Sequence, residues 1–335
     1  MFNHPTIPPT HHPSDPKIIF FGNTKYSKIV ASALFKKFDL TAVLTIFDKP
    51  SGRNRVLTPN PVKVFAKENK IELVETEKLD DLTIKIVANL KPDFLVVSDF
   101  GLILPENLLQ VPKYTPLNVH HSILPKYRGP SPAPSAILAG EEISGVTIIK
   151  MTKDVDSGPI LAQQEYRLKP DETTDSLLTE LNKLGAQLVS IVIKSHLAHS
   201  RSEDKTPSRT HSGSVAQDVK IFRPPQDQDE SKATYTRRFI KKDGFIDLKN
   251  PPDPQKLDRM IRAFYPWPGV YANSKIKNQK SKIIKFLPNL PTILPTYHPA
   301  DPFLIQPEGK RPLTIGQFRN GYPQFKETIE KLIKK

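Results

Sequence analysis

Short apolar runs alternate with helical segments over the first 195 residues of the chain. Each run has the length of a buried strand, and several of the segments between them open with Ser, Asp or Pro, as helices do. The predicted strands are Lys17–Phe21, Thr41–Ile46, Ile71–Val74, Phe94–Val97, Tyr114–His120, Gly145–Met151 and Pro159–Leu168. The predicted helices are Ser27–Phe35, Pro61–Glu68, Asp80–Leu90, Pro134–Ala139 and Thr174–Lys194. This alternation predicts an α/β domain built on an open, mostly parallel sheet.

The rest of the chain divides into a polar segment and a region of short strands. Residues 196–231 are rich in Ser, Thr, Asp, Gln and Pro, which predicts a linker. Beyond it, apolar runs alternate with turns, as is typical of a small β-barrel. The predicted strands of this region are Gly244–Leu248, Gly269–Tyr271, Lys282–Leu287, Phe303–Gln306 and Pro312–Ile315. We therefore expect a leader at residues 1–16, a first domain at 17–195 and a second domain at 232–335.

Composition excludes several kinds of protein. No apolar run approaches the roughly 18–20 residues that a membrane-spanning helix needs. Residues 1–16 are rich in Pro, His and Thr and lack an apolar core, which predicts a disordered leader rather than a signal peptide. The chain has no cysteine, so disulfides, thiolate zinc sites and a cysteine nucleophile are excluded. Together these features predict a cytoplasmic protein.

The net charge of +14 is concentrated in the last third of the chain. Residues 234–335 contain 20 Lys and Arg against 8 Asp and Glu, a net charge of +12, while the other 233 residues have a net charge of +2. A basic face of this kind indicates a polyanionic partner such as a nucleic acid. The alternative is a basic surface that serves solubility alone.

The strongest candidate for chemistry is the segment in which Asn118, His120 and Ser122 alternate. On a strand these side chains share one face, and the loop that follows lies at the carboxyl end of the sheet, where α/β proteins bind ligands. An amide can donate to a developing oxyanion, and an imidazole can transfer a proton. The alternative is an Asn that caps the turn beside a pair of surface histidines.

A second candidate is the pair Asp154 and Asp156, which is followed by Gly158. Asp156 could orient His120 and raise its pKa. The alternative is an Asx turn before Pro159. A metal site is disfavoured because the chain shows no His-x₃-His pair or carboxylate cluster.

Two further segments have possible roles in binding a nucleic acid. The loop at residues 47–61 contains Arg53 and Arg55, which suit phosphate recognition; the alternative is a solvated loop. Trp267, the only Trp, stands between two prolines. We interpret it as a rigid core anchor, with base stacking as the alternative.

Nine segments, in order and at the expected distances, resemble the methionyl-tRNA formyltransferase family. They cover about residues 17–320. The resemblance rests on all nine segments together rather than on any one of them. The segments are Asp48–Lys63, Phe100–Pro105, Leu117–Gly129, Ala136–Gly140, Gly145–Met151, Asp154–Leu161, Lys232–Thr236, Asp243–Asp247 and Leu257–Gly269.

The resemblance implies a Rossmann-like formyltransferase domain followed by a C-terminal OB-like β-barrel that binds tRNA. It implies transfer of the formyl group of 10-formyltetrahydrofolate to the α-amine of methionyl initiator tRNA, by a monomer and without a metal. Asn118, His120 and Asp156 match the family's catalytic trio. Arg53 and Arg55 match the loop that meets the acceptor stem. The turn that matches the folate contact is Ser122, Ile123, Leu124 and Pro125.

The chain departs from the family pattern at two loops near the predicted site. Gly22-Asn23-Thr24 stands where the family usually has G-T-P, and residues 130–134 replace the common A-A-P-I. Two other functions remain open: formylation of a small amine such as glycinamide ribonucleotide or an amino sugar, and tRNA binding by an inactive formyltransferase domain. The basic second domain argues against the first, and the intact trio argues against the second.

Overall fold

A computed structural model describes residues 15–51, 56–201, 219–274, 282–294 and 301–333. Within these residues the chain forms two compact units. The first comprises the chain up to residue 129 together with residues 144–166 and 179–235. The second comprises residues 130–143, 167–178 and the chain from residue 236. The predicted leader, residues 1–16, lies outside the described residues except at its end.

The chain from residue 17 to residue 226 contains strands and helices in alternation, as the apolar pattern predicts. The strands are β1 (Lys17–Phe21), β2 (Asp39–Ile46), β3 (Lys49–Ser51), β4 (Val56–Thr58), β5 (Glu72–Thr76), β6 (Phe94–Val97), β7 (Thr115–His120), β8 (Ile143–Lys150), β9 (Ile160–Arg167) and β10 (Val219–Gln226). The helices of this part of the chain are α1 (Ser27–Phe35), α2 (Pro61–Glu68), α3 (Asp81–Asn89), α4 (Glu106–Leu109), α5 (Pro132–Ala139) and α6 (Thr174–Arg201).

Among the described residues, eight strands form one sheet in the order β10-β9-β8-β7-β6-β1-β2-β5. The pairs β1–β2, β1–β6, β2–β5 and β6–β7 are parallel, whereas β7–β8 and β9–β10 are antiparallel. The mostly parallel, Rossmann-like sheet is therefore confirmed. The chain leaves β1 toward β2 on one side and later returns to β6 on the other side. The carboxyl ends of β1 and β6 therefore form the topological switch point, where such sheets bind ligands.

Burial of both faces explains why the central strands are continuously apolar. In β1, Ile18 and Phe20 pack into one core together with Val30 and Leu34 of α1. The alternate residues Ile19 and Phe21 pack into a second core on the opposite face, together with Val87 of α3 and Leu108 of α4. Period-two alternation of polar residues is absent here because neither face meets water.

The predicted linker is not uniformly irregular. Helix α6 continues into it as far as Arg201, and residues 219–226 form β10, which pairs with β9. Residues 202–218 lie outside the described part of the chain. β10 is an edge strand with mostly exposed side chains and contains Pro224 and Pro225, which edge strands tolerate. Its apolar residues, Val219, Ile221 and Phe222, are too few to distinguish a strand from a linker in the sequence.

The second unit contains antiparallel strands and three helices that sequence did not predict. The strands β11 (Val270–Ser274), β12 (Lys282–Pro288) and β13 (Phe303–Pro307) pair antiparallel in that order. The helices of the same region are α7 (Pro254–Ala263), α8 (Ile315–Gly321) and α9 (Lys326–Ile333). Helix α5 lies against α7, which places residues 130–143 in this unit.

Two of the predicted strands in this region are wrong. Residues 241–244 form a 3-10 turn, and the residue that follows, Phe245, contributes only an isolated bridge to Tyr271. Residue Leu313 likewise makes an isolated bridge to Ile305, and helix α8 begins at Ile315. Both segments are apolar but too short to extend a ladder beyond one pair. None of the described helices is long and apolar enough to cross a bilayer.

Candidate active site

Three polar side chains meet at the carboxyl end of β7. Asn118 lies in the strand, His120 is its last residue, and Asp156 lies in the loop after β8. The Asn118 side-chain amide donates a hydrogen bond to Asp156 Oδ1 at 3.0 Å. His120 Nδ1 lies 3.5 Å from Asp156 Oδ2. The predicted alternation thus brings Asn118 and His120 to one carboxylate, 38 and 36 positions away in sequence.

The loop after β8 holds the Asp156 carboxylate in place. Asp156 has φ +53°, a left-handed conformation that Asp tolerates better than most residues. Its Oδ2 accepts the backbone N–H of Gly129 at 2.8 Å, and Gln228 donates to its backbone carbonyl at 2.8 Å. At Gly158 a Cβ would approach the Lys150 carbonyl oxygen to 1.8 Å, so only glycine allows the loop to return this closely.

His120 is buried, with 4% of its surface exposed. Its Nε2 lies 3.0 Å from the Tyr127 carbonyl oxygen, so both ring nitrogens face an oxygen atom. Burial lowers the pKa of His120, and this effect outweighs the Asp156 carboxylate, which acts in the opposite direction. Asp156 thus raises the pKa of His120 as predicted, but the net shift is downward, because removing an imidazolium from water outweighs one carboxylate. The imidazole is neutral at neutral pH, the form that can accept a proton.

The turn at Ser122, Ile123, Leu124 and Pro125 is held by the two strands beside it. Thr147 of β8 accepts the backbone N–H of Leu124 at 3.2 Å, and Gln163 of β9 donates to the Leu124 carbonyl at 2.8 Å. Ser122 donates to the Lys126 carbonyl at 2.6 Å. The buried Leu124 packs with Ile149 and Ile160. The turn therefore presents a fixed shape, with the Leu124 backbone groups and the Ser122 hydroxyl bonded within the protein.

A buried arginine that sequence analysis did not single out supports the same loop. Arg128 is 2% exposed, and its guanidinium donates to both Glu230 carboxylate oxygens at 2.6 and 2.8 Å. It also donates to Gln228 at 3.0 Å and to the Tyr235 hydroxyl at 3.2 Å. The Arg-Gly pair that ends the Leu117–Gly129 segment was the available signal, but its partners lie about 100 positions away.

The two arginines predicted to contact tRNA, Arg53 and Arg55, lie outside the described residues. The base of their loop is described: Lys63 bonds Asp48 at 2.7 Å and Glu75 at 2.8 Å, and Asn60 donates its backbone N–H to Asp48. These bonds lower the pKa of Asp48 and raise that of Lys63.

Trp267 is 58% exposed, so its interpretation as a core anchor is wrong. It stands between two prolines, and the residue lies at the surface. Among the residues that the structure describes, no group of three or more His, Asp or Glu is arranged to hold a metal ion.

Comparison with known proteins identifies the two regions of the chain. Residues 16–193 match the formyl transferase family, and residues 238–291 match the formyl transferase C-terminal domain. A 4-N formyltransferase from Francisella tularensis superposes with a TM-score of 0.55 at 17% identity, covering 79% of this chain and 96% of that one. HypX from Aquifex aeolicus in complex with tetrahydrofolic acid superposes with a TM-score of 0.52 at 17% identity, covering 82% of this chain and 38% of that one. These superpositions show a shared fold.

The closer sequence relatives identify the family. A methionyl-tRNA formyltransferase of Dictyoglomus thermophilum is 31% identical over 91% of this chain and 97% of its own length. Those of Chloroflexus aggregans and Staphylococcus epidermidis are 38% and 34% identical over 76% and 79% of this chain, and over 75% and 78% of their own lengths. The chain belongs to the methionyl-tRNA formyltransferase family. It is a one-carbon group transferase of the formyltransferase type.

Proposed function

We propose that this protein transfers the formyl group of 10-formyltetrahydrofolate to the α-amine of methionyl initiator tRNA, with Asn118, His120 and Asp156 as catalytic residues. The observation that carries the proposal is the single Asp156 carboxylate, which bonds Asn118 and faces His120 at the carboxyl edge of the sheet. Asp156 accepts one of the two N–H groups of the Asn118 amide. The other N–H remains for a carbonyl oxygen of the substrate.

The folate supplies a formyl carbon bonded to nitrogen. As the amine attacks this carbon, negative charge develops on the formyl oxygen, and an oriented amide N–H stabilises that charge. His120 is neutral and buried and lies against the Asp156 carboxylate, so the two groups together can take up the proton that the attacking nitrogen releases. Asp156 holds the imidazole and the amide in position and stabilises the imidazolium as it forms.

The turn Ser122, Ile123, Leu124 and Pro125 is the proposed contact for the folate. Because the Leu124 backbone groups are already bonded to Thr147 and Gln163, the turn offers a rigid, partly apolar wall. A wall of this kind suits a flat ring system, which binds by shape as much as by hydrogen bonds. Residue Asn118 beside this wall is half-buried, so a ligand there meets both the wall and the catalytic amide.

The proposed tRNA contacts are the basic C-terminal region and the loop with Arg53 and Arg55. The net charge of +12 over residues 234–335 is suited to a phosphate backbone. The loop starts from a fixed base, since Asp48, Lys63 and Glu75 are linked by two ion pairs. A small acceptor amine would have no use for this charge.

The test is formylation in vitro with 10-formyltetrahydrofolate and methionyl initiator tRNA. The wild type is expected to form N-formylmethionine on the tRNA but not on free methionine. Asn118→Ala is expected to lose roughly 100-fold or more in kcat/KM, because it removes an oxyanion donor. Asn89→Ala, at the exposed end of α3, is the matched control and is expected to be unchanged.

Three results would contradict the proposal. Formylation of free methionine or glycinamide ribonucleotide as readily as of the tRNA would indicate a small-amine enzyme. Salt-dependent tRNA binding without any formylation would indicate a binding protein. Full activity of Asn118→Ala would remove this residue from the catalytic site.

A further inference from the structure

The only tryptophan of the chain lies in a closed loop of the second unit. The backbone N–H of Gly269 donates to the Phe264 carbonyl oxygen at 2.8 Å, and Trp267 lies between these two residues in the chain. Pro266 and Pro268 stand on either side of it, and a proline ring fixes the backbone angle φ. The hydrogen bond and the two prolines therefore restrict the backbone that carries Trp267.

Trp267 is accessible to a partner outside the chain. It has 58% of its surface exposed. The indole makes up most of the surface of a tryptophan, so a residue exposed to this extent exposes part of its ring. Because a single exposed apolar side chain is common on protein surfaces, the surroundings of Trp267 decide whether it has a role.

A short turn brings a second aromatic residue and two lysines to the same loop. Gly244 lies so close to Gly269 that a Cβ on it would approach the Gly269 carbonyl oxygen to 1.9 Å. Lys241, at the start of this turn, donates a hydrogen bond to the Pro268 carbonyl oxygen. Phe245, directly after the turn, is exposed. We use the name aromatic–basic surface for the following four residues: Trp267, Phe245, Lys241 and Lys242.

The carboxylate nearest in sequence to these lysines is bonded elsewhere. Asp243 accepts hydrogen bonds from the Arg237 guanidinium through both oxygens, at 2.6 and 2.8 Å, and these bonds lower its pKa to about 2. Lys242 beside it is exposed, and the Lys241 ammonium lies 4.4 Å from the centre of the Tyr271 ring. The surface therefore combines positive charge with aromatic rings.

This combination is suited to an unpaired nucleotide. A base stacks on an aromatic ring, and lysines beside the ring contact the phosphates. In a duplex each base is already stacked on its neighbours, so a base that stacks on a side chain is normally an unpaired one. The core of a protein–protein interface, in contrast, is depleted of Lys. The net charge of +12 over residues 234–335 favours the same class of partner.

We propose that the aromatic–basic surface binds an unpaired segment of the RNA substrate, with one base stacked on Trp267 and the adjoining phosphates at Lys241 and Lys242. This inference rests on the proposed function, which supplies the RNA. Phe245 offers a second ring to the neighbouring nucleotide. The surface holds the RNA and takes no part in the formyl transfer.

The test uses the intrinsic fluorescence of the full-length protein, which reports on Trp267 alone because the chain has no other tryptophan. The probes are an RNA hairpin with a short single-stranded end, the same hairpin with a blunt end, and heparin. The first should quench the fluorescence, since a base stacked on indole quenches its emission. The blunt hairpin and heparin should bind in a salt-dependent way with little quenching.

Variants separate stacking from charge, with affinity measured by the anisotropy of a labelled hairpin that has the single-stranded end. Trp267→Leu keeps an apolar side chain without an aromatic face, and we expect its Kd to rise roughly 5-fold to 100-fold with an unchanged salt slope. Trp267→Tyr keeps a ring and should lose less. Lys242→Ala should reduce the salt slope by about 0.7, the effect of one phosphate contact on a single strand.

The matched control is Leu82→Ala, which removes an exposed apolar side chain from α3 and should bind as the wild type does. Circular dichroism and thermal unfolding establish that each variant folds. Equal quenching by heparin, or an unchanged Kd in Trp267→Leu, would overturn the inference while the proposed function stands. Self-association of the wild type that Trp267→Leu abolishes would also overturn it, because the surface would then join two copies of the chain.

These binding measurements need no turnover, so the two proposals fail separately. A wild type whose fluorescence is quenched by the hairpin with the single-stranded end, but which forms no formylmethionine, would contradict the proposed reaction and not the RNA contact.

Discussion

The Asn118 amide and the Asp156 carboxylate form a direct 3.0 Å hydrogen bond between strand β7 and the loop that follows β8. The bond fixes the rotation of the amide, so that its second N–H has a defined direction. The other carboxylate oxygen faces His120 and accepts the Gly129 backbone N–H. One carboxylate thus orients both groups that the proposed chemistry uses.

Replacing the Asp156 carboxylate is expected to remove activity without unfolding the protein. Asp156→Asn keeps a residue that tolerates φ +53°, but its amide cannot orient Asn118 and His120 in the same way. We expect kcat/KM to fall roughly 100-fold or more, with a small change in Tm. Asp154→Asn, two residues earlier in the same loop, is the control, and its activity should be unchanged. Equal losses in both variants would contradict the role of Asp156.

Stability is expected to decline in acid because His120 is buried in its neutral form. Its folded pKa lies below the unfolded value of about 6.5, so above pH 6.5 its contribution is fully present. As the pH falls below 6.5 the unfolded state binds the proton first, and the free energy of unfolding decreases by at most about 1.4 kcal/mol per pH unit for this group. Denaturant titrations from pH 7.5 to 5 should show a shallower decline in His120→Asn. An identical decline in both proteins would refute this assignment.

The close return of the loop at Gly158 predicts a sharp penalty for any side chain there. In Gly158→Ala the new Cβ would meet the Lys150 carbonyl oxygen, a backbone atom that cannot move aside without shifting β8. We expect a loss of about 2–3 kcal/mol in unfolding free energy and reduced activity, since Asp156 lies in the same loop. Gly321→Ala, at a position with no atom within 4 Å of the new carbon, should be near neutral. Urea denaturation of the two variants side by side measures the difference.

The buried Arg128 is expected to support the active-site loop rather than the chemistry. Arg128→Met keeps much of the side-chain volume but removes the bonds to Glu230, Gln228 and Tyr235. A destabilisation on the order of 2 kcal/mol should follow, with kcat reduced because Gly129 next to it bonds Asp156. Lys183→Met, an exposed cation on α6 whose 2.8 Å ion pair with Glu180 is solvent-exposed, should cost less than 1 kcal/mol. Thermal unfolding and kcat measured together test this; an unchanged Tm in Arg128→Met would contradict it.

The apolar pattern alone determined most of the first unit. Runs such as Lys17–Phe21 and Phe94–Val97 are buried on both faces, so they are continuously hydrophobic. Such runs can be predicted as strands from the local sequence. The alternation of Asn118 and His120 likewise follows from the geometry of a strand. Pro61 after Asn60 marked the start of α2, where the Asn60 side chain accepts the Val62 N–H. Each of these features depends on residues that lie close together in the chain, so the sequence alone predicts it.

Only the tertiary structure decided the features that depend on residues distant in the chain, such as edge pairing, burial and long-range ion pairs. The edge strand β10 is polar and was predicted as a linker, because an exposed edge needs no apolar run. Burial outweighed the effect of Asp156 on the pKa of His120, and the depth of a side chain is a property of packing. The Arg128–Glu230 ion pair and the Asp99–His121 pair join residues separated by 102 and 22 positions. Such pairings form only when the fold brings distant strands and loops side by side. The sequence therefore shows the residue types but not which of them interact.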